Sequence, residues 1–122
     1  MKIAFIEWKE NKVKGFAKFR AIEKKVANIE IKHIQTGEIT KVLLEAKKKL
    51  ASFDAAVIFL AHSENEAEDC GIIKRKAIDI ELEKEKPIFL ISISLEETSA
   101  KDLEAKASEL IENSIKQLIA MV

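Results

Sequence analysis

The sequence predicts a single α/β domain over residues 1–122, with a four-stranded parallel sheet between two layers of helices. Two segments, 55–61 and 88–94, are almost purely apolar, and strands that are buried on both faces of a parallel sheet have this composition. A segment with helical periodicity separates them, which makes a right-handed β-α-β unit. The chain has room for four successive β-α units and for no fifth strand.

The first half of the chain is predicted to supply two strands and two helices. Residues 2–6 are a short apolar strand, and apolar side chains at helical spacing predict a helix over residues 14–27. Residues 29–34 alternate between apolar and polar, which is typical of an edge strand. The next helix opens at Glu38. Its predicted buried face consists of Ile39, Val42, Leu43, Ala46 and Leu50.

The second half repeats this plan. An acidic loop over residues 62–68 leads into a helix over residues 69–85, and Pro87 ends that helix before the fourth strand. Ser99 and Asp102 have capping-box spacing and predict the start of a last helix, which runs to about residue 120. The predicted sheet-facing positions of the third helix are Ile72, Ile73, Ala77, Ile80 and Leu82. Right-handed crossovers give the strand order 2-1-3-4, with a switch point between strands one and three.

Composition excludes several classes of function. The formal net charge is zero and no basic block is backed by aromatic residues, so nucleic acid is not an expected partner. No apolar run approaches the roughly 20 residues that span a bilayer, and no signal peptide is evident. One cysteine allows no internal disulfide, which suits a cytoplasmic location. Neither GxGxxG nor a P-loop occurs, and no metal-ligand spacing is present, so no cofactor or metal is expected.

The switch point is where the sequence predicts a ligand site, because open parallel sheets bind ligands at the carboxyl ends of their strands. Trp8 could stack there on a flat heterocycle, or it could cover the end of the sheet or pack against a neighbouring subunit. His62 could act as a general acid or base, or it could be a hydrogen-bonded structural residue. The predicted crevice is lined by Glu7, Trp8 and Lys9 on one side and by His62 and Ser63 on the other.

Other reactive residues are better explained by structural roles. His33 lies inside a strand and is predicted to be structural. Cys70, at the start of a helix, is predicted to be a buried packing residue rather than a nucleophile. Four carboxylates could hold Mg²⁺, but a solvated acidic helix start explains them better; they are Glu64, Glu66, Glu68 and Asp69.

Three segments carry a resemblance to a known family. They are FDAAVIFLA at residues 53–61, EAEDCGIIKRKA at 66–77 and EKEKPIFLISIS at 83–94. In order and spacing they resemble the lumazine synthase superfamily, and within it the archaeal-type riboflavin synthases. The resemblance implies a four-stranded relative of the flavodoxin-like fold. It also implies a transferase that converts two molecules of 6,7-dimethyl-8-ribityllumazine into riboflavin and a pyrimidinedione, in a homopentamer whose sites lie between subunits.

The resemblance also assigns roles to residues of this chain. It implies that Trp8 stacks on the heterocycle, with Lys9 beside it, and that Ser63 helps to position the ligand. Proton transfer would fall to His62 and Asp69. The turn that would hold the ribityl chain consists of Thr36, Gly37 and Glu38.

The chain departs from the family in the segment that follows the third strand. The family's glycines are absent from this acidic loop, and Asp69 and Cys70 stand in place of a Lys-Asp pair. Two alternatives therefore stay open. One is a catalytically inactive relative that binds a flavin- or pterin-like ligand or serves as an oligomeric scaffold. The other is an unrelated flavodoxin-like binding module.

Overall fold

A four-stranded, all-parallel sheet forms the centre of the molecule, with the strand order β2-β1-β3-β4. A computed structural model describes residues 1–26 and 28–121, except the side chain of Ala100. The strands are β1 (Lys2–Trp8), β2 (Glu30–Thr36), β3 (Ala55–His62) and β4 (Ile88–Ser94). This confirms the predicted fold class and strand order, and β2 and β4 are the two edges of the sheet.

Helices cover both faces of the sheet. They are α1 (Phe16–Glu23), α2 (Lys41–Lys49), α3 (Ala67–Lys84) and α4 (Ala100–Met121), and a single 3₁₀ turn, Glu64–Glu66, precedes α3. Helices α1 and α4 pack on one face and α2 and α3 on the other. Successive residues of a strand point to opposite faces, so β3 feeds both cores: Val57 and Phe59 lie in the first, Ile58 and Leu60 in the second.

Strand β3 is buried at every position. It lies between two strands and beneath two layers of helices, which explains why its sequence is apolar throughout rather than alternating. Strand β4 has the bounds that the sequence predicts. Glu85, in the left-handed conformation with φ 55°, ends α3, and Pro87 follows before the strand starts.

Three helices differ from their predictions. Helix α2 begins at Lys41, three residues after the predicted start at Glu38, because residues 38–40 form a turn. Helix α1 ends at Glu23, earlier than the predicted 14–27 segment; Ala27, its predicted last residue, lies outside the described residues. In α3, Cys70, Ile73 and Ala77 are buried, whereas Ile72 is 36% and Leu82 is 74% exposed. Leu82 lies five positions after Ala77, which is well over one helical turn, so it points away from the sheet-facing stripe.

The start of α4 has the predicted cap in a modified form. The Asp102 N–H donates to Oγ of Ser99 at 3.3 Å, and that hydroxyl donates to Oδ2 of Asp102 at 2.8 Å. Ser99 therefore satisfies one of the free N–H groups of the first turn. The helix runs to Met121, and its buried face comprises Leu103, Ala107, Ile111, Ser114, Ile115 and Leu118. Among the described residues, no helix is long and apolar enough to cross a membrane.

Candidate functional site

A cavity of about 330 Å³ opens at the carboxyl edge of the sheet, beside the ends of β1 and β3. The chain leaves β1 toward α1 and leaves β3 toward α3, which pack on opposite faces. The two connections diverge there, so the cavity lies at the switch point where parallel sheets bind ligands. Its walls are formed by Trp8, Glu10, Lys12, Ala61, Ser63, Glu66 and Leu95.

Trp8 supplies the aromatic surface of this cavity. It is the last residue of β1 and is half-buried, because part of its side chain packs against the core beneath α2 and α3. Trp8 is also one of the residues that line the cavity. Trp8 therefore has a fixed position and still presents ring surface to a ligand, an arrangement that suits stacking.

Ser63 and Glu66 form a hydrogen-bonded pair among the residues that line the cavity. The Ser63 N–H donates to Oε1 of Glu66 at 3.1 Å, and the Ser63 hydroxyl donates to Oε2 at 2.8 Å. These two hydrogen bonds lower the pKa of the Glu66 carboxyl, with smaller contributions from His62 and Lys12. Glu66 is thus ionised at neutral pH and held in one orientation.

The charges on the cavity walls are Glu10, Lys12 and Glu66, two carboxylates and one ammonium. This balance disfavours an anionic ligand such as a phosphate ester, because like charges repel. A neutral ligand with hydroxyl or amide groups fits better, since the carboxylates accept hydrogen bonds and the ammonium donates them.

His62 points away from this cavity. It is buried, and its Nδ1 lies 3.1 Å from the carbonyl oxygen of Ser63 while its Nε2 lies 2.9 Å from Oγ of Ser92 on β4. A carbonyl oxygen can only accept, so Nδ1 carries a hydrogen in this arrangement. Both ring nitrogens therefore have partners within the protein, and His62 ties β3 to β4.

The remaining predicted site residues lie elsewhere at the same edge. The Thr36 hydroxyl is buried and donates to the carbonyl of Glu38 at 2.9 Å, which stabilises the turn after β2. Gly37 and Glu38 are exposed in that turn, and the exposed Lys9 donates its N–H to the Thr36 carbonyl at 2.9 Å. Asp69 is half-buried in the first turn of α3. Of the predicted set, Trp8 and Ser63 share the cavity, and its walls include none of the others.

Glu7, which the sequence predicts in the crevice wall, is completely buried on the side of α1. Its Oε1 lies 2.6 Å from Nε2 of His33, and its Oε2 accepts the Gly15 N–H at 3.1 Å. The His33 ring stacks on Phe16, with centroids 4.0 Å apart and planes at 7°. His33 thus has the structural role that the sequence predicts.

Asn11 is the residue of this edge that sequence reasoning missed. It is buried in the loop after β1, where its Nδ2 donates to the Phe59 carbonyl at 2.9 Å and its Oδ1 accepts the Ala61 N–H at 3.0 Å. The last residue of β1 paired with β3 is Glu7, opposite Phe59. Asn11 therefore continues the ladder where β1 has ended and holds the cavity wall at Ala61 in place.

Cys70 lies behind the site in the core between the sheet and α3. Burial, together with the nearby Glu66 and Asp69 carboxylates, raises the pKa of its thiol to about 11. The start of a helix ordinarily lowers the pKa of a thiol, but here the pKa is raised. The thiol is therefore a packing group, as predicted.

The site therefore combines one aromatic face, one ordered Ser-Glu pair and a mixed polar rim. Over residues 1–26 and 28–121, no three His, Cys, Asp or Glu side chains are grouped so as to hold a metal ion. This constellation can bind a small planar molecule and offers an ionised carboxylate at its edge. No family model and no curated protein matches the chain.

Proposed function

We propose that this protein binds a neutral planar heterocycle with a hydroxylated side chain, of the 6,7-dimethyl-8-ribityllumazine class, in the cavity between the ends of β1 and β3. The observation that carries the proposal is the placement of Trp8 and the Ser63–Glu66 pair on the walls of one cavity at the switch point. Its volume of about 330 Å³ lies at the lower end of the range for small-molecule sites.

Each part of such a ligand has a suitable counterpart. The fused ring would stack on the indole of Trp8, and its carbonyl oxygens would accept hydrogen bonds from Lys12. The hydroxyl groups would donate to Glu66 and Glu10. A neutral ligand also avoids the repulsion that the two carboxylates would impose on a phosphate.

The second candidate function is conversion of that ligand to riboflavin, as the family resemblance implies. A dismutation between two bound molecules depends largely on positioning. The observation that favours it is that His62 lies between Ala61 and Ser63, two residues of the cavity wall, so an imidazole stands directly behind that wall. Since both ring nitrogens of His62 are hydrogen-bonded, proton transfer would require one of these bonds to break.

Titration with 6,7-dimethyl-8-ribityllumazine tests both candidates in one tube. Trp8 is the only tryptophan, so quenching of its emission reports occupation of this cavity, and chromatography of the same sample detects riboflavin. Quenching without riboflavin supports the binding function, and quenching with riboflavin supports the enzyme. No quenching and no calorimetric heat would remove both.

Two variants make the result specific to the cavity. Trp8→Ala removes the stacking surface and should weaken binding at least tenfold by calorimetry, whereas Trp8→Phe should retain most of it. Ser92→Ala, which removes the hydroxyl that contacts His62 outside the cavity, is the matched control. It should leave affinity unchanged and should lower the rate of riboflavin formation only if His62 takes part in the reaction.

A further inference from the structure

The described sheet has two edge strands, and β4 is the one without charged side chains. The strand reads IFLISIS, so it contains no lysine and no proline and has no bulge. The other edge strand, β2, carries Lys32 and Glu30. Charged residues, prolines and bulges are the devices by which edge strands avoid pairing with other chains, and β4 has none of them.

The hydrogen bonds to β3 show which backbone groups of β4 are free. The Pro87 carbonyl accepts the Ala56 N–H, and the Leu95 N–H donates to the His62 carbonyl. Odd-numbered residues of β4 therefore face β3. Because consecutive residues of a strand direct their backbone groups to opposite sides, Ile88, Leu90, Ser92 and Ser94 direct theirs to the open edge.

Two of these outward groups are already bonded within the chain. The Ile88 N–H donates to Oε2 of Glu81 at 3.0 Å, and the Ser94 carbonyl accepts the Thr98 N–H at 3.1 Å. These two groups lie at opposite ends of the strand. Within residues 1–26 and 28–121, the N–H and carbonyl of Leu90 and Ser92 have no other hydrogen-bond partner, nor do the Ile88 carbonyl and the Ser94 N–H.

We infer that β4 pairs antiparallel with β4 of a second copy of this chain, with the two-fold axis at Ile91. In this register Leu90 faces Ser92 of the second copy, and the two residues exchange both of their hydrogen bonds. Ile88 faces Ser94, so the Ser94 N–H donates to the Ile88 carbonyl. The other bond of that pair, from the Ile88 N–H to the Ser94 carbonyl, is not needed. The Ile88 N–H is already bonded to Glu81, and the Ser94 carbonyl is already bonded to Thr98.

This register is the one that leaves no outward group of the strand without a partner. With the axis at Leu90, Ile88 would face Ser92, whose carbonyl would meet an N–H already bonded to Glu81. With the axis at Ser92, the Leu90 N–H would meet a Ser94 carbonyl already bonded to Thr98. The strand is therefore complementary to itself about Ile91.

The charges at the two ends of β4 favour the same antiparallel arrangement. Lys84 and Lys86 precede the strand, with Glu85 between them, and Glu96 and Glu97 follow it. About an axis at Ile91, the end of β4 that follows Lys84 lies beside the end of the second copy's β4 that precedes Glu96 and Glu97. Nζ of Lys86 already donates to the Leu50 carbonyl at 2.7 Å. A parallel pairing would instead bring like ends together, and like charges directly opposite one another are destabilising.

The helices beside this edge carry exposed apolar side chains that a second copy would cover. Ile78 and Leu82, one turn apart on α3, are 52% and 74% exposed, and Met121 at the end of α4 is 64% exposed. These three residues line a cavity of about 320 Å³ at the start of β4. Pairing about a two-fold axis brings α3 beside its counterpart on one face of the sheet and α4 on the other.

Sedimentation equilibrium of the full chain measures its molar mass in solution. Comparison of Ser92→Pro with Ser92→Ala tests whether the outward N–H of β4 is needed for the dimer. Proline removes the outward N–H of Ser92 and costs no bond to β3, whereas alanine keeps that N–H. The wild type and Ser92→Ala should have twice the monomer mass, and Ser92→Pro should be a monomer with an unchanged circular dichroism spectrum. A wild-type monomer, or an oligomer that survives Ser92→Pro, would overturn the inference.

A pair of cysteine variants in a Cys70→Ala background tests the register. Ile91 would face itself across the axis at a Cα separation of about 4.5 Å, so Ile91→Cys should form a disulfide-linked dimer on mild oxidation. Ile93 is similarly buried but would lie about 13 Å from its counterpart, so Ile93→Cys should not. Cross-linking of Ile93→Cys at an equal rate, or of neither variant, would contradict this register.

Discussion

Nε2 of His33 lies 2.6 Å from Oε1 of Glu7, a carboxylate without any solvent exposure. The same carboxylate accepts the N–H of Gly15, and the His33 ring is held between this contact and Phe16. Glu7 therefore joins β1, β2 and the start of α1 through polar contacts within an apolar layer. A buried carboxylate is tolerated only with such partners.

We expect Glu7→Ala to lower the free energy of unfolding by about 3 kcal/mol, because it leaves both His33 and the Gly15 N–H without an acceptor. Glu7→Gln retains the shape and one acceptor oxygen and should cost about 1–2 kcal/mol. Urea unfolding followed by circular dichroism measures both. Equal losses in the two variants would show that the volume and the single acceptor oxygen that glutamine retains contribute nothing, and a Glu7→Gln as stable as the wild type would show that the charge of the carboxylate does not matter.

Gly15 and Gly37 form a matched pair for substitution by alanine. A Cβ on Gly15 would lie 2.7 Å from Cζ of Phe5 and 3.2 Å from Cδ1 of Ile111, whereas one on Gly37 would meet nothing within 4 Å. Gly15→Ala should therefore cost about 1–3 kcal/mol through overpacking. Gly37→Ala should be neutral or stabilise by up to about 1 kcal/mol. Thermal unfolding separates the two, and a neutral Gly15→Ala would contradict the tight packing at Phe5.

Asn11→Ala should cost about 2–4 kcal/mol, because it strips partners from the buried Phe59 carbonyl and Ala61 N–H. The more local effect is on exchange: the Ala61 amide hydrogen should exchange faster than in the wild type under native conditions. Asn65→Ala, at an exposed position in the 3₁₀ turn, should change stability by less than about 0.5 kcal/mol. Unaltered exchange at Ala61 in Asn11→Ala would show that Asn11 does not extend the ladder.

Local pattern was enough to predict β4 and the strand order. Strand β4 is apolar and lies directly after Pro87, and short crossovers leave few topologies for four β-α units. Periodicity also identified Val42 and Ala46, the buried positions of α2. It was misapplied in α3, where the Ile73–Ala77 stripe faces the sheet and Leu82 lies off it.

The site was harder to predict because its decisive contacts are non-local. Asn11 bonds to residues 48 and 50 positions away, and Glu7 bonds to His33 26 positions away. Nothing in the local sequence marks either partner. The position of Trp8 at the switch point followed from topology alone, whereas the direction of the His62 side chain depends on Ser92 across the β3–β4 pairing.

Ser63→Ala should raise the pKa of Glu66 toward 4.5, the ordinary value of a glutamate side chain, because it removes the hydroxyl hydrogen bond that contributes most to the lowered pKa. A carboxyl whose pKa is depressed on folding stabilises the folded state above its unfolded pKa, and this stabilisation is lost as the pH falls through the folded pKa. The stability difference between the wild type and Ser63→Ala should therefore be present at pH 7 and shrink below pH 4.5. NMR titration of the Glu66 side chain gives the pKa directly, and a difference that persists undiminished in acid would exclude this cause.

Cys70 should be almost inert toward thiol reagents while the protein is folded. With a pKa of about 11 instead of 9.0, the thiolate fraction at pH 8 is roughly a hundredfold lower than in the unfolded chain, and only 6% of the side chain is exposed. Reaction with a disulfide reagent should thus be at least about a hundredfold slower for the folded chain than for the chain unfolded in guanidinium chloride. Asn11→Ala, which destabilises the loop after β1, should speed the reaction of Cys70 in the folded protein. The rate should rise as the free energy of unfolding falls, because the reagent then reaches the thiol only when the structure opens. Rapid labelling of the folded wild type would mean that the start of α3 opens independently of the core, and would place Cys70 within reach of the cavity.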